Sequence, residues 1–110
     1  MYNDKNFTEN DWKLFKSKIG QWQELHIDRL NNKYIQLLSD KDKVSSEKFW
    51  ELHKRIQKDK YNTGVQIEVR RSNLIPSIME LINDGIIHEK ELEEFSPELR
   101  EKIDYLRKRF

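Results

Sequence analysis

The sequence has no cysteine and no alanine, only three glycines and two prolines, and no apolar run longer than three residues. Without cysteine there are no disulfides, no thiolate nucleophile and no cysteine-ligated zinc. The glycines stand far apart, at 20, 64 and 85, so no glycine-rich loop is available to cradle phosphates. The longest apolar runs are pairs such as Leu37-Leu38 and Ile86-Ile87, or three residues at Leu74-Ile75-Pro76. A membrane-spanning helix needs about 20, so no membrane association is expected. The first residues, Met1-Tyr2-Asn3-Asp4-Lys5-Asn6, are polar and contain no apolar signal region, which predicts a cytoplasmic location. Asn6-Phe7-Thr8 fits the glycosylation pattern, but without a secretion signal it reads as chance.

What the chain does have is charge. Lys and Arg number 21 and Asp and Glu number 20 among 110 residues, for a net charge of +1. Twelve aromatic residues and near-neutrality argue against disorder. The length fits one domain, residues 1–110, with one core. Lysine outnumbers arginine, and isoleucine and asparagine are plentiful. That bias is the one an AT-rich coding genome produces, such as a low-GC bacterium or its phage.

Apolar side chains fall at Trp12, Phe15, Ile19, Trp22, His26, Leu30, Tyr34 and Leu37. Steps of three and four trace one face of a helix, predicted from about Glu9 to Ser39. Thr8 and Asp11 form a capping box, with Phe7 and Trp12 at the staple positions. A helix of that length is about 45 Å long. Gly20 inside it costs ~1 kcal/mol relative to alanine and suggests a close helix approach beside Ile19. After Asp40-Lys41-Asp42-Lys43, Ser45 is the expected N-cap of a second helix, with Val44 and Phe49 as its staple. Phe49, Leu52, His53, Ile56 and Lys60 trace its face, and it should stop near Asn62-Thr63-Gly64. Val65–Val69 alternates and reads as an extended connector, with a short edge strand as the alternative. Ser72 or Asn73 caps a third helix through Ile78, Leu81 and Ile82, which Asp84-Gly85 ends. His88 opens a short helix from Glu89 to Phe95. Ser96-Pro97 starts the last one, with Leu99, Ile103 and Leu106 on its face and Phe110 at its end. The expected fold is all-α: a long antiparallel helical hairpin with two or three shorter helices packed on it.

No constellation marks an enzyme, and neither cofactor nor metal is expected. Bundle metal sites use Glu-x-x-His. Here the spacing is Glu-x-His, at Glu24/His26 and Glu51/His53, and residues i and i+2 face apart on a helix. Gly85, Ile87 and Glu91 fall at calcium-loop positions 6, 8 and 12. Positions 1 and 3 would be Glu80 and Ile82, and isoleucine cannot coordinate.

Two features remain as candidate surfaces. Trp12, Trp22 and Trp50 are apolar anchors that either fill the core or, where the long helix outruns its cover, present a stripe to a protein partner or a second copy. Lys54, Arg55, Lys58, Lys60, Arg70 and Arg71 make segment 54–71 net +4, against −6 over 80–104 and +3 over the last six residues. The basic segment suits protein or nucleic-acid phosphates, or the acidic C-terminal block. The expected function is therefore non-enzymatic: a small interaction or regulatory protein, homodimeric or bound to another protein, with a nucleic-acid-binding regulator as the alternative.

Overall fold

The computed structural model describes residues 6–109. The polar start Met1–Lys5 and Phe110, the expected end of the last apolar face, lie outside them. The described residues contain four α-helices and no strand: α1 (Glu9–Leu38), α2 (Ser45–Asp59), α3 (Leu74–Asn83) and α4 (Pro97–Arg109). Single 3-10 turns at Arg71–Asn73 and Glu89–Leu92 precede α3 and α4. The second of these stands where a longer helix to Phe95 was expected. The Glu91, Glu93 and Phe95 N–H groups bond carbonyls three residues back, which gives 3-10 and turn geometry rather than an α-helix, and Leu92 and Phe95 are buried all the same.

The helix ends are chemically explicit. The Thr8 hydroxyl accepts the Asp11 N–H at 3.1 Å, and the Asp11 carboxylate accepts the Thr8 N–H at 2.9 Å. This is the reciprocal capping box. For α2, Ser45 is the first helical residue rather than the cap. Glu47 instead reaches back to the Val44 N–H at 3.3 Å. The expected staple is absent, since Val44 and Phe49 are both exposed. Pro76 lies in the first turn of α3, where its missing N–H costs nothing. Gly85, at φ 76°, ends α3. Its N–H bonds Ile82 C=O, and the Ile86 N–H bonds Leu81 C=O. This double closure requires a left-handed residue.

The main core gathers Phe7, just before α1, and Trp12, Phe15, Ile19 and Trp22 from the first half of α1 with Leu74, Ile78 and Leu81 of α3. Leu92, Phe95, Leu99 and Ile103 complete it. Trp12 stacks on Phe15 at 6.4 Å, and Phe15 meets Trp22 edge-on at 6.1 Å. The helices after residue 70 therefore cover the Trp12–Trp22 stripe. No helix approaches Gly20, where an added Cβ would meet nothing within 4 Å. The close approach expected there is not found.

The second half of α1 has a different neighbour. Lys48 Nζ donates to Leu38 C=O at 3.1 Å and the Tyr34 hydroxyl to Asp59 at 2.6 Å, while Gln23 in the middle of α1 donates to Thr63 C=O beyond α2 at 3.3 Å. These hydrogen bonds tie α2 and its connector to α1, and no α2 residue is fully buried. Residues 66–70 carry no regular structure, and Ile67 packs on the core. The molecule measures 58 × 24 × 21 Å with a radius of gyration of 17.4 Å. A compact domain of this size has about 13 Å, so the α1–α2 end projects.

Candidate interaction surface

The three tryptophans divide between inside and outside. Trp12 and Trp22 are 8% and 7% exposed, while Trp50 is 63% exposed. Trp12 also lies beneath two cations, Lys16 at 5.2 Å and Arg71 at 5.7 Å. A partner can reach Trp50 but not the other two, which the chain itself covers. Of the two roles the sequence offered, Trp12 and Trp22 fill the core with residues of α3 and α4, which leaves Trp50 as the exposed member of the three.

Most of the exposed large apolar side chains lie at the α1–α2 end, with Val69 and Tyr105 apart from them. Phe49 is 61% exposed and Ile56 42%. Spaced i and i+7, with half-buried Leu52 between, they share one face of α2. Trp50 meets Phe49 edge-on at 5.0 Å and His53 at 5.8 Å, forming one aromatic cluster. Ile35 and Leu38 of α1 and Val44 before α2 are also exposed. Ile56 forms the rim of an open apolar cleft of about 230 Å³ between the two helices, lined by Ile27, Leu30, Asn31, Tyr34, Asp59, Lys60 and Val65. A cavity of about 150 Å³ with apolar walls holds a benzene ring, so this one admits an apolar side chain. The sequence pattern displays the Phe49–Leu52–Ile56 face, but periodicity alone assigns it to the seam with α1. Lys48 and Asp59 hydrogen-bond to α1, and of the apolar face only Ile56 lines the cleft with Ile27, Leu30 and Tyr34.

The basic segment does not converge on one patch. Arg71 pairs with Glu9 at 2.7 Å, at the start of α1, and Arg70 pairs with Glu68 at 2.7 Å. Arg55 pairs with Glu51 at 3.1 Å on α2, near where Tyr34 meets Asp59. Glu9 and Tyr34 are about 37 Å apart along one helix. Lys54 and Lys58 are exposed on α2, and Lys60 lies over the Tyr61 ring at 5.2 Å. The acidic block is occupied elsewhere: Glu94 pairs with Lys18, Glu89 with Arg107 and Asp104 with Lys108. Among the described residues no ion pair joins it to segment 54–71.

The histidines are separate. His26 packs between α1 and Gly64, His53 sits against Trp50, and His88 precedes the second 3-10 turn. Among the described residues no group of three His, Cys, Asp or Glu side chains is placed to hold a metal. Glu91, at the last calcium-loop position, accepts the His88 N–H at 2.7 Å and serves as a turn cap. An open groove between the starts of α1 and α4 includes Thr8, Asn10, Asp11, Lys13, Glu94 and Ser96. The oxygens of Asp11 there already accept three donors, from Thr8 and Ser96. That carboxylate is a structural knot, and its link to Ser96 has no local sequence signal.

Compared with known proteins, the chain matches no family model, no curated protein and no solved structure.

Proposed function

We propose that this chain is a small non-enzymatic protein that acts by binding another protein, and that the α1–α2 end is the docking arm. In this reading α1 and α2 form a long antiparallel hairpin, held at its base by the core of α1, α3 and α4. The observation that carries the proposal is the state of α2. It leaves Phe49, Trp50 and Ile56 largely exposed and fully buries none of its residues. A helix of 15 residues is marginal on its own in water, and a partner covering its apolar face would stabilise it.

Docking would proceed by surface complementarity. Each large apolar side chain removed from water contributes roughly 1.5–3 kcal/mol, and aromatic anchors at the centre of an interface dominate its energy. The Glu51–Arg55 pair and Lys54 and Lys58 would orient the partner more than hold it. A second copy is one such partner, and a homodimer is its simplest form. The proposed setting is the cytoplasm of a low-GC bacterium or its phage. Nucleic acid is the weaker alternative, since Arg70 and Arg71 lie far from Lys54 and Lys58.

The test is a triple substitution, Phe49→Ser with Trp50→Ser and Ile56→Ser, compared with the native chain by circular dichroism, light scattering and capture of host proteins. The proposal expects helical content to persist while self-association or partner capture disappears. Persistence of the same complexes would overturn it.

A further inference from the structure

Beyond α2 the chain passes over α1 at His26. Gly64 lies so close that a Cβ there would sit 2.3 Å from Cδ2 and 2.6 Å from Cγ of His26, and 2.7 Å from Cγ1 of Ile86. The imidazole Nε2 is buried and has no hydrogen-bond partner. Polar ties surround it. Gln23 donates to Thr63 C=O at 3.3 Å, the Thr63 hydroxyl to Asp84 at 3.0 Å, and Arg29 to Ile86 C=O at 3.2 Å. Three segments thus meet at one ring: the middle of α1, the connector after α2 and the turn after α3.

A neutral imidazole carries one N–H and one bare nitrogen. With Nε2 bare, the buried edge of the ring needs no acceptor. Protonation would place an N–H and a positive charge there without a partner, which is costly in a buried position. The charged groups around the ring divide by element. Arg29 and Lys33 of α1 oppose protonation, while Asp59 of α2 and Asp84 after α3 favour it. Burial is the largest influence and, with the two cations, sets the balance against the charged form.

We propose that the His26–Gly64 contact is an acid-labile joint, at which protonation of His26 loosens the connector 60–67 and releases the α1–α2 end while the main core stays folded. The pH dependence has one sign. The folded-state pKa lies below the ordinary 6.5. The contact is therefore at full strength above that value and weakens as pH falls through the lower one. The joint does not depend on what the α1–α2 end binds, and its test involves no partner.

The measurement is amide exchange of Gly64, Val65 and Gln66 relative to Ile78 and Leu81 in the same sample, at about pH 7.5 and about pH 5.5, which bracket the ordinary histidine range. In the native chain the connector-to-core ratio should rise severalfold on acidification. In His26→Gln, which cannot titrate, it should not change. An unchanged ratio in the native chain, or the same rise in His26→Gln, overturns the proposal. An NMR titration of the native imidazole is independent of any variant's folding. A midpoint below 6.5 that coincides with shifts at Gly64 and Ile86 supports the joint. A midpoint at or above 6.5 overturns it.

Discussion

The carboxylate of Asp11 accepts the backbone N–H of Ser96 at 2.8 Å and the Ser96 hydroxyl as well, tying the first turn of α1 to the N-cap of α4 across 85 positions. The same carboxylate closes the capping box with Thr8, and Asp11 is 2% exposed. Ser96 in turn accepts the Leu99 N–H at 3.2 Å. Removing the carboxylate would strand part-buried donors at the caps of both helices. Asp11→Ala should therefore cost about 3 kcal/mol, because hydrogen bonds to a charged group and newly unpaired donors both count. Ser96→Ala should cost about 1–2 kcal/mol, since the backbone N–H keeps its acceptor. Urea unfolding of both and of the double variant gives the coupling. The double variant should fall short of additivity.

The inner and outer aromatic residues should respond oppositely. Phe15 is 1% exposed and touches both core tryptophans. Phe15→Ala should cost roughly 3–5 kcal/mol. Phe49→Ala should change the stability of the isolated chain by less than about 0.5 kcal/mol, as surface substitutions do. Thermal unfolding at low concentration separates the two. A large loss from Phe49→Ala would mean that α2 is part of the core.

Two glycines offer a contrast of sign. At Gly20 an added Cβ meets nothing. Gly20→Ala should stabilise α1 by about 0.5–1 kcal/mol through backbone entropy and helix propensity. At Gly64 the same methyl strikes His26 and Ile86. Gly64→Ala should destabilise by about 1–3 kcal/mol through overpacking. Denaturant midpoints of the two variants should move in opposite directions.

Tyr34 is held protonated. Burial, and its hydrogen bond to Asp59 at 2.6 Å, push its pKa up to about 12. A raised folded-state value means that its contribution is complete below the ordinary 10.0 and disappears as pH climbs through about 12. A tyrosinate absorbance titration of the native chain minus Tyr34→Phe should isolate a component with its midpoint near that value. A component at the ordinary value would show that the α1–α2 contact is open in solution.

Helix boundaries were the most legible part of this chain, because capping chemistry is local. Thr8 with Asp11, Ser96 with Pro97, and Asp84 with Gly85 each specify an end within a few residues. The short stretch from His88 to Phe95 was less legible, since apolar spacing does not separate an α-helix from a single 3-10 turn closed by bonds three residues back. The partner of each apolar face was not legible. Trp12, Trp22, Phe49 and Ile56 all carry helical periodicity, which says that a face is apolar but not what covers it. α3 and α4 cover Trp12 and Trp22 from far along the chain, as the Lys18–Glu94 pair at 76 positions illustrates. Nothing local distinguishes those tryptophans from Trp50. Segregated charge was legible as sequence but misleading as surface, because Arg71 finds Glu9 and Arg107 finds Glu89.

The docking arm is tested most directly by a photo-crosslinking residue placed at position 50, compared with one at position 100, an exposed position of α4. Crosslinks from position 50, to a second copy or to one host protein, with none from position 100, are the expected result. Equal crosslinking from both positions, or from position 100 alone, would contradict it.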